Sequence, residues 1–234
     1  MDFIKYEELW LPPITARHGG LGDFEYVEKA KDLVARTERY AGLTAKSTVV
    51  DIGCGAGRFL IGMLATYGSV NRYTGIDVRK DYIDGCLQYL VEPDRGDIEF
   101  AWVNVRNARY NAKLVDSAAA VAATLPVRSG SADFIILFSV FSHMTSEDTG
   151  AYLKEIARIL APGGRCFCTA FIEENAPDWQ ENPPEYIMQW KRPLHCARFS
   201  RDHFDSLAAA AGLSVIWFGY CESGIQSSVV LARC

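Results

Sequence analysis

No apolar run in this chain is long enough to cross a bilayer: the longest, Phe134 to Phe141, falls far short of the roughly 20 residues that a spanning helix needs. The first residues, Met1-Asp2-Phe3-Ile4-Lys5-Tyr6-Glu7-Glu8, carry acids where a secretory leader has a basic head and a continuous apolar stretch. A cytoplasmic protein without membrane contact is therefore expected. Acidic residues outnumber basic ones, 29 to 24. A net charge of -5 and an isoelectric point near 5.4 disfavour a surface that tracks phosphates, so nucleic acid is a disfavoured partner. No C-x-x-C or paired Cys/His spacing occurs, so no metal site is expected. The cysteines at 54, 86, 166, 168, 196, 221 and 234 are odd in number and lie mostly in apolar segments, as reduced packing thiols do. There is no internal repeat. Low complexity is confined to Ala118 to Ala123 and Ala208 to Ala211, which are good helix formers.

With 234 residues, 49% of them hydrophobic and 23% charged, the chain can bury a full core and suits one large α/β domain. Apolar residues Val27, Ala30, Leu33, Val34 and Ala41 recur at helical spacing between Phe24 and Tyr40, and Gly42 follows as a stop. Short β-rich runs then alternate with helical stretches: strand 48–52, helix 57–67, strand 72–77, helix 80–91, and strands 98–103 and 133–138. The series continues with helix 147–159, strand 165–171, helix 201–211, and strands near 213–218 and 225–232. Such alternation predicts parallel βαβ units with helices on both faces. Only about seven residues separate the last two strands, too few for a crossover helix, so that pair is predicted to be antiparallel.

Val49-Val50-Asp51-Ile52-Gly53-Cys54-Gly55-Ala56-Gly57-Arg58-Phe59 joins an apolar strand to a glycine loop that opens a helix. Glycines at 53, 55 and 57 permit positive φ and bring bare N–H groups against a ligand. A tight turn with no ligand is the competing reading of the triplet alone. The dinucleotide fingerprint G-x-G-x-x-G requires a third glycine where this chain has Arg58. Arg72-Tyr73-Thr74-Gly75-Ile76-Asp77-Val78 reads as a second strand ending in a carboxylate, about 20 residues beyond the last glycine, where an acid that binds ribose is expected. A carboxylate can accept both hydroxyls of a diol; the alternative for Asp77 is a helix N-cap.

The pattern Asp51-x-Gly53-x-Gly55-x-Gly57 resembles the first motif of class I S-adenosylmethionine-dependent methyltransferases. Asp77 resembles that family's ribose acid. The run Ser131 to Met144 resembles its fourth strand and the loop after it, and Leu160-Ala161-Pro162-Gly163-Gly164-Arg165 its turn into the fifth. These four motifs cover residues 47 to 171 in the family's order. The resemblance implies a doubly wound, mostly parallel seven-stranded sheet with an antiparallel C-terminal strand and helices on both faces. It implies S-adenosylmethionine as cofactor, held by Asp51, Gly53, Cys54, Gly55, Gly57, Asp77, Val78, Tyr82, Asn104, Val105, Phe138 and Ser139. Asp51 would face the ammonium end, Asn104 and Val105 the adenine, and the backbone at Phe138 and Ser139 the methionine part. Asn104 stands where the family often has an acid, and Tyr82 reads equally well as a partly exposed helix tyrosine.

Methyl transfer depends mainly on positioning. Where the acceptor is a hydroxyl, a base helps, and His143, just past the fourth strand, is the first candidate, with His195 the second and His203 weaker. Orienting the loop is the other reading of His143. Ser139 occupies the place of a metal-binding acid, which argues against a metal-dependent mechanism. The domain divides into an N-terminal cap and helix (1–45), a cofactor-binding core (46–171), a lid insertion (172–199) rich in proline and aromatics, and a C-terminal helix and hairpin (200–234). The expected reaction is methylation of a small molecule, at oxygen on a sugar or secondary metabolite. An NAD-dependent oxidoreductase and a non-catalytic cofactor-binding protein are the alternatives, and the oligomeric state stays open, a homodimer included.

Overall fold

The computed structural model describes residues 1–105, 124–186, 191–222 and 224–234, and the backbone only at His18. Most of the long connection from Asn107 to Pro126, the alanine-rich piece Ala118 to Ala123, and Trp190 of the expected lid lie outside the described residues. The chain forms two compact units, Met1–Val103 and Asn104–Cys234. Among the described residues no helix is long and apolar enough to cross a membrane.

The first unit opens with a hairpin of β1 (Ile4–Tyr6) and β2 (Leu9–Leu11). Next comes α1 (Asp23–Ala41), which buries Tyr26, Val27, Ala30, Val34, Thr37 and Ala41 at the spacing its sequence predicts. Gly42 ends it in a left-handed conformation, its N–H returning to Glu38 O at 2.9 Å. β3 (Thr48–Ile52), β4 (Arg72–Asp77) and β5 (Asp97–Trp102) form a parallel ladder in that order, with α2 (Arg58–Tyr67) and α3 (Lys80–Tyr89) as the crossovers. Val49, Val50, Asp51 and Ile52 are all buried, which is why β3 reads as a continuous run rather than an alternation. α2 buries six successive residues from Phe59 to Leu64. At Gly62 an added Cβ would lie 2.3 Å from Ala30 O, so only glycine lets α1 approach this closely.

In the second unit β6 (Ala132–Leu137) pairs in parallel with β7 (Leu160–Glu173), and α4 (Ser146–Ile159) connects them. Ala132 faces Leu160 and Phe134 faces Arg165, so the Pro-Gly-Gly turn expected before the strand is contained in β7 as an irregularity of its register. β11 (Ser227–Arg233) runs antiparallel to both β7 and β10 (Leu213–Gly219), giving the order β10-β11-β7-β6. The short-loop argument for a reversed strand near the C-terminal edge therefore holds. α5 (Arg201–Ala210) starts at Ser200, whose hydroxyl accepts the His203 N–H at 3.2 Å. Two further strands appear inside the expected lid: β8 (Trp179–Glu181) pairs antiparallel with β9 (Ala197–Ser200), and β9 pairs in parallel with the last residues of β7. All seven cysteines are free thiols, five of them buried.

Candidate functional site

In the first unit the glycine loop has the backbone its sequence requires. Gly53, Gly55 and Gly57 have φ of 78°, 56° and 79°. The N–H groups of Gly53 and Cys54 both donate to Ile76 O, at 2.7 and 3.1 Å, which fastens the loop to the end of β4. A Cβ at Gly55 would have only Tyr82 at 4.0 Å, whereas one at Gly57 would meet Leu90 Cδ1 at 2.4 Å and Cys86 Sγ at 3.5 Å. The two glycines thus serve different ends, the first leaving space in front of the loop and the second letting α3 pack behind it. Gly57→Ala should destabilise the fold by about 2–3 kcal/mol, from the left-handed φ plus the overlap. Gly55→Ala should cost about 1–2 kcal/mol, from φ alone. Urea unfolding of both variants checks this; equal losses would show that the space behind Gly57 does not matter.

Asp77 closes the loop from the neighbouring strand. Its Oδ2 accepts the Gly55 N–H and its Oδ1 the Arg79 N–H, each at 2.8 Å. Burial pushes its pKa up, while the same two N–H groups pull it down. Asp77 therefore ties the loop to the turn ahead of α3, whose N-cap is Arg79 without a side-chain bond, so the helix N-cap that competed with ribose binding is not its role; each oxygen keeps a second lone pair for a hydroxyl donor. Val78 O accepts the Trp102 indole N–H at 3.1 Å, and Trp102 is opposite Asp77 in the β4–β5 register and exposed. Sequence reasoning missed Trp102, because only strand pairing puts it beside the acid. Tyr82 is half-buried under the Arg79 guanidinium, 3.9 Å from its ring centre, and borders Gly55.

Asp51 is 3% exposed and accepts the Tyr73 hydroxyl at 2.6 Å. Burial raises its pKa to about 7, with Tyr73 and Arg58 acting in the opposite direction. The thiols of Cys54 and Cys86 both reach Gly55 O at 3.7 Å, and burial holds both pKa values high, so they are packing groups rather than nucleophiles.

In the second unit Asn104 is half-buried, with its Oδ1 buried and without a hydrogen-bond partner, beside the buried Val105. A buried acceptor without a donor suits an amino group such as adenine's. Phe138, at the end of β6, rests 5.6 Å from Phe167. Ser139 takes φ 58°, unusual for a residue with a Cβ. Three bonds hold it there: its N–H to Thr169 Oγ1 (2.9 Å), its hydroxyl to Gln226 Oε1 (2.9 Å), and its carbonyl accepting from the Ser142 hydroxyl (2.8 Å). The loop continues to His143, whose Nδ1 is 3.0 Å from Leu194 O. A carbonyl can only accept, so the proton is on Nδ1 and the basic lone pair on Nε2. His195 follows Leu194 directly and is half-buried. His203 instead pairs with Ser146 Oγ at 2.7 Å, between the starts of α4 and α5. The β8 Trp179 indole donates to Met144 O at 3.2 Å, so residues of the expected lid reach the loop after β6.

A methyltransferase-domain family model matches residues 25–216. Among curated proteins, the mouse tRNA (carboxymethyluridine(34)-5-O)-methyltransferase ALKBH8 is 29% identical over 194 residues, which is 81% of this chain and 23% of that protein. The chain thus spans less than a quarter of that relative. Among solved structures, the mitomycin 7-O-methyltransferase MmcR superposes with a TM-score of 0.60 at 17% identity, covering 90% of this chain and 54% of that one. CalO1, a methyltransferase in calicheamicin biosynthesis solved with SAH bound, gives 0.56 at 19% identity, covering 91% and 59%.

Proposed function

The chain belongs to the class I S-adenosylmethionine-dependent methyltransferases, and from that premise we propose that it methylates a small molecule at oxygen, on a sugar or secondary metabolite, in the cytoplasm. The observation that carries the oxygen acceptor is the His143 tautomer: with Nδ1–H committed to Leu194 O, Nε2 is the atom that takes a hydroxyl proton. The fold shared with MmcR and CalO1 supports a small acceptor. The tRNA-modifying relative supports a second reading, in which the acceptor is a nucleoside within RNA. A net charge of -5 weighs against that reading, because binding to a polyanion relies on cationic contacts.

The residues present fit the cofactor. Gly55 leaves space in front of the loop, although its N–H and that of Gly53 are taken by Asp77 Oδ2 and Ile76 O; Asp77 keeps lone pairs for the ribose, and Asp51 supplies negative charge for the ammonium end. When bound, S-adenosylmethionine supplies an electrophilic methyl for in-line displacement. The protein's share is orientation, exclusion of water and a proton acceptor at His143 Nε2. Asp77→Ala should weaken S-adenosylhomocysteine binding by roughly 1.5–3 kcal/mol, and should also lower the melting temperature because the N–H groups of Gly55 and Arg79 lose their acceptor. Calorimetry reads the first effect, and an unchanged affinity would remove Asp77 from the site.

The test of the function itself is S-adenosylhomocysteine release against a panel of sugars, phenols, amines and tRNA, with NAD titrated in parallel. Turnover with a hydroxyl-bearing small molecule is the expected outcome. Turnover with tRNA alone would establish the second reading, and binding of NAD in place of S-adenosylhomocysteine would overturn both.

A further inference from the structure

β8 is only three residues long, and strand alternation sends Gln180 to one face and Trp179 and Glu181 to the other. Gln180 accepts from the Arg198 guanidinium on β9. Trp179 and Glu181 instead reach the two sides of a single hydrogen bond, the one between His143 Nδ1 and Leu194 O at 3.0 Å. On the histidine side the Trp179 indole donates to the carbonyl of the next residue, Met144, at 3.2 Å. On the carbonyl side Glu181 Oε1 accepts the N–H of Leu194 itself at 2.6 Å. Asn182, just past the strand, completes the grip on residues 192–196. Its N–H donates to Cys196 O at 2.7 Å, its Oδ1 accepts the Cys196 N–H at 2.9 Å, and its Nδ2 donates to Arg192 O at 2.9 Å.

Leu194 needs that grip. It is the third residue of a turn that begins at Arg192, has Pro193 second, and is closed by the His195 N–H on Arg192 O at 3.2 Å. Leu194 has φ 48°, a left-handed value that such turns normally give to glycine or asparagine. Its side chain is buried, so packing favours leucine where the backbone does not. A strained residue persists only where its surroundings over-determine it, and such residues gather at working sites. Here the surroundings are a carboxylate and an amide from the end of β8, and the strained residue's carbonyl meets the proposed base. An imidazole can carry its proton on either nitrogen, and the acceptor at one nitrogen decides which lone pair the other presents.

We propose that Glu181 is a positioning residue for methyl transfer: by holding the Leu194 N–H it fixes the carbonyl that keeps the His143 proton on Nδ1 and leaves Nε2 for the acceptor. This rests on the reading of His143 as the base. The experiment is nitrogen NMR of ligand-free protein labelled at histidine, at about pH 8, where an ordinary histidine is neutral. His143 is assigned by the signals that His143→Gln removes. Wild type should show the Nδ1–H form, and the Nε2–H form there would overturn the proposal. Glu181 is exposed, so Glu181→Ala should leave the core intact. In that variant the ratio of the two forms should move about five- to tenfold toward Nε2–H, the worth of roughly one hydrogen bond. Glu181→Gln keeps an oxygen for the Leu194 N–H and should restore the wild-type signals, while Asn182→Ala, which releases both ends of the turn, should move the ratio as Glu181→Ala does. Turnover, read as S-adenosylhomocysteine release with the acceptor that the panel identifies, should follow: kcat about tenfold lower in Glu181→Ala, with KM for S-adenosylmethionine within about twofold. A ratio unchanged in both alanine variants would overturn the proposal and make the end of β8 a staple for the turn alone. A shifted ratio with undiminished turnover would instead overturn the reading of His143 as the base.

Discussion

Between about pH 4 and pH 7 the ligand-free protein should lose stability through Asp51, and Asp51→Asn should abolish that loss. The ordinary carboxylate value near 3.8 rises to about 7 because Asp51 is buried. A carboxyl group whose pKa is higher in the folded than in the unfolded state stabilises the fold fully below the unfolded value, and this contribution disappears as pH rises through the folded value. The difference amounts at its limit to about 4 kcal/mol. Asparagine carries no charge at any pH and still offers an oxygen to the Tyr73 hydroxyl, so the substitution removes the titration while keeping the bond. The measurement is urea unfolding of both proteins from pH 4.5 to 8.5, read as wild type minus variant so that other carboxylates cancel. The variant's lead should be only about 1 kcal/mol at pH 4.5 and should grow to a few kcal/mol above pH 7. A flat difference would mean that Asp51 is not the buried acid described. A cofactor bearing an ammonium should bind more tightly to wild type as pH rises through 7, because it favours the ionised carboxylate, and the variant should lack this slope.

His143→Ala should lower kcat by about 10²–10⁴-fold, the usual contribution of a positioned base, while leaving affinity for S-adenosylhomocysteine within about twofold. The acceptor is whichever the panel identifies. Removing the base also removes a donor to Leu194 O, so the variant should be compared with His143→Gln, which retains a donor at that end. Equal losses in both would assign the effect to the proton acceptor, whereas full activity in the glutamine variant would make His143 a loop-orienting residue.

The glycine loop, the strand-ending acid and the reversed pair near the C-terminus were legible because each has a local cause. Positive φ at Gly53, Gly55 and Gly57 is a property of those residues, and the seven-residue gap between β10 and β11 excludes a crossover without reference to anything distant. The alternating runs likewise predicted parallel βαβ units, with β3, β4, β5 and β6 within a residue of their expected bounds, whereas which strand pairs with which came from the structure. The hairpin β1–β2 and the pair β8–β9 were not visible. Their strands are three or four residues long, too short to show a period of two, and β9 exists as a strand because it pairs with the end of β7.

By itself, then, the sequence determined the backbone of the loop, the acid after the second strand and the cofactor class, since glycine conformation and residue order do not depend on distant contacts. Tertiary structure alone decided what each charged group became. Burial gave Asp51 a pKa near neutrality, two backbone N–H groups made Asp77 a clasp on the loop, and a carbonyl 51 residues away fixed the His143 tautomer. Protonation and hydrogen bonding depend on neighbours in space, and residues far apart in the chain become neighbours only when it folds.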